Sequence, residues 1–110
     1  VEKTLAGITV AGFADAELVD EVLIREVEEE LSELAQGLGG ASLLLSFGRV
    51  RLMSSRMLGV LLQFSRSFRQ IGGRLKLCEI SSDLRELFRI TRYERLFEIF
   101  PDEMQALDAF

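Results

Sequence analysis

The chain has 110 residues, 48% of them hydrophobic, with 18 acids against 13 lysines and arginines for a formal net charge of -5. That length and apolar content suffice for one compact core, so residues 1–110 are expected to form a single domain, and the acidic balance disfavours nucleic acid or anionic lipid and favours protein partners. Histidine is absent, which removes the commonest general base and the commonest metal ligand, so no catalytic residue, no metal site and no cofactor are expected.

Ile8 to Phe13 alternates as a strand, with a short partner stretch around Lys3 to Leu5. Asp20 suits the N-cap of a helix reaching about Gln36, stopped by Gly37, Gly39 and Gly40. In that helix Ile24, Val27, Leu31 and Leu34 form the apolar stripe, which leaves Glu28, Glu29 and Glu30 as its solvated face. Ala41 to Phe47 lacks polar alternation at its centre and is expected to be a central strand buried on both sides.

A second helix starts near Ser54, with Met57, Leu61, Phe64, Phe68 and Ile71 along one side and Leu58 and Leu62 widening the stripe. Gly72 and Gly73 end it, and Arg74 to Ile80 follows as a strand with Lys76 pointing outward. The only cysteine, Cys78, lies in that strand, where a buried, inert thiol is the ordinary outcome. Ser81 or Ser82 caps a short third helix carrying Leu84, Leu87 and Phe88. Beyond Thr91 an apolar patch (Leu96, Phe97, Ile99, Phe100) leads to Pro101, which suits the first turn of a final helix through Leu107.

This alternation of strands and helices predicts the α/β class: a mixed sheet of four to five strands with about four helices packed against it. No charged stretch followed by an apolar core opens the chain, and no apolar run is long enough to span a bilayer. A cytoplasmic protein with no membrane contact is therefore expected, and a lone cysteine suits a reducing compartment.

Function is best sought at Ser54 and Ser55, where an apolar strand gives way to an amphipathic helix. Free N–H groups at a helix start and the positive end of its dipole make such a junction receptive to phosphate, although a serine there also serves as a plain N-cap. Arg49, Arg51 and Arg56 lie within a few residues.

The run Leu43-Leu44-Leu45-Ser46-Phe47, the segment Val50 to Leu61, then Gly72-Gly73-Arg74-Leu75-Lys76-Leu77 and Leu87-Phe88-Arg89-Ile90-Thr91 with Leu96-Phe97 resemble the STAS domain. That family is shared by bacterial anti-sigma factor antagonists and the cytoplasmic tails of sulfate transporters. The resemblance implies a STAS-like fold and a protein-interaction module: an anti-sigma factor antagonist that binds a serine/threonine switch kinase, the anti-sigma factor, and is reset by a protein phosphatase.

In antagonists of this kind an Asp-Ser-Ser/Thr-Gly-Leu-Gly motif opens a helix whose first serine is phosphorylated. Carried over, Ser55 takes the phosphoacceptor position, ahead of Ser54, and Leu58 and Gly59 match the end of the motif. Asp20 resembles the family's Asp near the start of the first helix. Ser54 stands in place of the motif's Asp, Arg56 in place of its second hydroxyl residue, Met57 in place of its Gly, and Ser46 in place of the Asp ending the central strand. The resemblance implies a docking surface of Asp20, Met53, Ser54, Arg56, Met57 and Leu58 that a dianion on Ser55 would disrupt. The other reading is a STAS scaffold for constitutive assembly, no longer phosphorylated. An enzyme or ligand carrier is disfavoured by the lack of histidine and of a glycine-rich phosphate loop.

Overall fold

A computed structural model describes residues 2–5, 7–38 and 41–110. In chain order the elements are β1 (Glu2–Leu5), β2 (Ile8–Gly12), β3 (Glu17–Leu18), α1 (Glu21–Leu38), β4 (Ser42–Ser46), β5 (Leu52–Met53), α2 (Ser55–Gln70), β6 (Arg74–Cys78), α3 (Ser82–Ile90), a 3-10 turn (Tyr93–Arg95), β7 (Ile99–Phe100) and α4 (Glu103–Asp108). Gly39 and Gly40, expected to help stop α1, lie outside the described residues.

Five strands form one sheet in the order β1-β2-β4-β6-β7. The β1 strand pairs antiparallel with β2, while β2, β4, β6 and β7 run parallel. Parallel neighbours require a crossover, and α1, α2 and α3 supply one each. The order moves steadily from β2 to β7, so all three helices fall on the same face, as the core confirms. Ile24, Val27 and Leu31 of α1, Leu61 and Phe68 of α2, and Leu84 and Phe88 of α3 share one cluster with Leu43, Leu45 and Leu77 of the sheet.

The opposite face is smaller. Ile8, Val10, Leu44 and Cys78 meet Ala106 of α4 there, with Phe100, Leu107 and Phe110 packed around them. The three leucines of β4 therefore divide between two cores, Leu44 on one side and Leu43 and Leu45 on the other. Both faces of β4 are dry, as a run without polar alternation requires.

Local chemistry sets the element ends. Asp20 Oδ2 accepts from Leu23 N at 3.0 Å and caps α1. Ser81 Oγ accepts from Leu84 N at 3.3 Å and caps α3. Gly73 turns the chain from α2 into β6 against the Phe68 ring, which would lie 2.5 Å from any Cβ at that position.

Three sequence expectations are corrected by tertiary packing. Lys76 is 3% exposed rather than outward-facing. Register pairs it with Leu44, on the face that α4 covers, where its ammonium lies 3.0 Å from Glu98 and 5.0 and 5.5 Å from the ring centres of Phe110 and Phe100. Ile71 does not extend the apolar stripe of α2, because the helix ends at Gln70 and Ile71 follows as the C-cap, half exposed. Pro101 does not enter the last helix, because Asp102 is the N-cap there, accepting from Gln105 N at 2.8 Å.

Candidate functional site

The β3 and β5 strands have no counterpart in the sequence reading, being two residues each, too short for any period to register. They pair in parallel, Glu17 with Leu52 and Leu18 with Met53, as a separate small sheet. Arg51 N and Leu52 N both donate to Ala16 O, at 2.7 and 3.2 Å, and Ser54 N donates to Leu18 O at 3.1 Å. This ladder runs straight into two helices, α1 after β3 and α2 after β5. It aligns their first turns side by side, and Arg56 Nε donates to Glu21 Oε1 at 3.0 Å across the gap.

The two serines at the α2 entrance have different tasks. Ser54 is the N-cap: its backbone is extended, and its Oγ accepts from Met57 N at 3.2 Å. Ser55 is the first helical residue and is exposed, so its hydroxyl stands outside the capping bond. Leu58 N returns to Ser54 O at 3.1 Å, which leaves the N–H groups of Ser55 and Arg56 at the open end of the helix. An anion on Ser55 would sit at the positive pole of the helix beside a guanidinium.

Of the surface expected from sequence, Asp20, Ser54 and Arg56 are brought together at this end of the molecule. Met53, Met57 and Leu58 are not on it: their exposures are 4%, 0% and 1%. The reason is tertiary. Met53 faces inward beside Leu18 with α3 packed over β5, and α2, whose Met57 and Leu58 belong to the main core, packs on β6 and on α1. These three side chains belong to the core of the folded chain. Arg49 and Arg51 are exposed as expected.

Sequence reading missed the apolar part of this surface. Leu52, Val19 and Val22 are 51%, 42% and 64% exposed, on β5, directly after β3 and in the first turn of α1. Val22 carried a signal, since it is an apolar residue off the stripe of Ile24, Val27 and Leu31. Glu21, which holds Arg56, was missed too, because its partner lies 35 residues away.

The STAS domain model matches residues 13–106, most of the chain. The chain belongs to the STAS domain family. BtrV of Bordetella bronchiseptica, provisionally named an anti-sigma factor antagonist, is 30% identical over 101 residues, covering 92% of this STAS domain and 79% of BtrV. A STAS domain protein from Planctomyces limnophilus, described as an anti-sigma factor antagonist, superposes with a TM-score of 0.85 at 18% identity over 99% of this chain and 95% of its own. The Bacillus cell fate determinant SpoIIAA in its phosphorylated form gives a TM-score of 0.69 at 21% identity, over 99% and 96%. At such identities the superpositions establish the fold, and the sequence relative is a protein named as an anti-sigma factor antagonist. Among the described residues no helix is long and apolar enough to cross a membrane.

Proposed function

We propose that this STAS domain is an anti-sigma factor antagonist that docks on a kinase-type anti-sigma factor through the entrances of α1 and α2, and that phosphorylation of Ser55 releases it. One observation carries the reading. Ser54 makes the capping bond, and the exposed Ser55 hydroxyl has no part in it. The kinase would transfer the γ-phosphoryl group of ATP to Ser55 Oγ, with the hydroxyl proton lost and ADP released. A phosphatase would hydrolyse the ester and restore the docking form.

Phosphoserine brings about -1.5 to -2 charges to a helix start that tolerates an anion, so the modified domain stays folded. Its cost falls on the complex, where a hydrated dianion must be desolvated within the contact. A loss of about 3 kcal/mol would lower affinity more than a hundredfold. The SpoIIAA neighbour, whose structure exists in a phosphorylated form, supports the reading by analogy of fold.

Incubation with the cognate anti-sigma kinase and ATP, followed by intact-mass measurement, tests it. A gain of one phosphate that disappears in Ser55→Ala supports the switch. Tight binding to the anti-sigma factor without any mass gain would instead support constitutive assembly.

A further inference from the structure

Between Glu33 and Glu79 the chain contains no acid at all but seven cations, Arg49, Arg51, Arg56, Arg66, Arg69, Arg74 and Lys76. Among the described residues, the β5–α2 side of the entrance therefore carries cations and no carboxylate, whereas the β3–α1 side carries Glu17, Asp20 and Glu21. The ladder sets these sides in register as Glu17 against Leu52, Leu18 against Met53, and Glu21 against Arg56. Leu52 on β5, Val19 directly after β3 and Val22 in the first turn of α1 are exposed. In the family motif a carboxylate precedes the acceptor and a hydroxyl follows it, whereas this chain has Ser54 and Arg56 there, so the charge nearest the acceptor has the opposite sign.

From this juxtaposition we infer that Arg56 is the specificity determinant of the docking surface. It selects an anti-sigma partner that places a carboxylate opposite it and an apolar recess over Leu52, Val19 and Val22. The inference rests on the proposed function and adds the chemistry of the partner. Arg56 is half exposed and its bond to Glu21 is solvent-exposed at both ends, so a partner carboxylate can share or replace Glu21 at little cost. Exposed apolar side chains at this end supply the anchor, and the charges beside them the orientation.

Phosphorylation then acts on Arg56 as well as on the contact area. Adjacent Cα atoms are about 3.8 Å apart, well inside a screening length of about 8 Å at physiological salt. A dianion on Ser55 within that length opposes the attraction of the Arg56 cation for the partner's carboxylate. Release is partly competition for one guanidinium.

Calorimetric titration of the full chain with its cognate anti-sigma factor, at low and physiological salt, tests this. Wild-type binding is measured first, and its absence would end the proposed function itself. Given binding, Arg56→Gln is expected to weaken it about tenfold and Arg56→Glu about a hundredfold, with a shallower salt dependence for Arg56→Gln. Glu21→Gln breaks the same ion pair but leaves the cation in place, so it should bind as well as wild type or better. Leu52→Ser should lose at least tenfold with unchanged thermal unfolding. The decisive measurement is Ser55→Asp made both in the wild-type chain and in the Arg56→Gln variant: its effect should be at least fivefold smaller in the variant, where the guanidinium is gone. Equal effects in the two backgrounds, undiminished binding by Arg56→Glu, or parallel losses in Arg56→Gln and Glu21→Gln would overturn the inference.

Discussion

Replacing each serine at the α2 entrance with alanine separates structural work from signalling work. Ser54 Oγ satisfies Met57 N at 3.2 Å in a half-buried setting, and Ser54→Ala deletes that acceptor. Loss of a serine N-cap costs about 1 kcal/mol, within a range of roughly 0.5–2. For a domain near 100 residues this lowers the melting temperature by about 4 °C or somewhat more. Ser55 is already inside the helix and exposed, and alanine is the better helix former there, so Ser55→Ala should leave stability unchanged or raise it by a few tenths of a kcal/mol, about 0.3. Thermal and urea unfolding followed by circular dichroism reads both variants, with equal m-values confirming that the folded states match. Phosphorylation should show the reverse order, abolished in Ser55→Ala and kept in Ser54→Ala. If Ser55→Ala is the more destabilised of the two, residue 55 holds the cap and the division of labour between the serines is refuted.

Gly59 lies on the exposed face of α2 with nothing within 4 Å of a built Cβ, so Gly59→Ala should stabilise the domain by about 1 kcal/mol in the same unfolding experiments. Gly73→Ala drives a methyl group into the Phe68 ring and should cost about 1–3 kcal/mol, seen as a lower urea midpoint. Lys76→Met removes a buried cation whose partner, Glu98, keeps its water; because a buried ion pair seldom outperforms an apolar residue of similar volume, stability should stay the same or rise, and a loss above about 3 kcal/mol would contradict the packing described. Burial pushes the Cys78 thiol up to about 11 from 9.0, against a smaller lowering by its hydrogen bond with Ser46. Between those values the unfolded chain holds fewer protons than the folded one, so stability should be complete below pH 9 and fall as pH rises toward 11. That component should be missing from Cys78→Ala when the two urea-unfolding pH profiles are compared.

Periodicity and turn chemistry were sufficient for the main elements. The spacing of Ile24, Val27 and Leu31 defined α1, that of Met57, Leu61, Phe64 and Phe68 defined α2, and the unbroken leucines of β4 marked a central strand, because each depends on neighbours within one or two turns. The Ser54–Ser55 junction was equally legible, since a cap is a local device. Which residues stand in solvent was not. The alternation around Lys76 correctly separates it from Leu75 and Leu77, but alternation carries no record that α4, some 30 residues later, covers that face. Met53, Met57 and Leu58 passed for a docking surface because their neighbours α3, α1 and the sheet are distant in sequence.

The sequence by itself determined the α/β alternation, the element ends, and a serine pair at a helix start, all set by hydrogen bonding and side-chain period over a few residues. Only the tertiary structure decided that β3 and β5 pair, that their pairing brings Glu21 to Arg56, and that Leu52, Val19 and Val22 are among the apolar groups left facing outward. Those outcomes depend on register between segments about 35 residues apart, and pairing over that distance is decided by the summed burial of the whole core, which no local window contains.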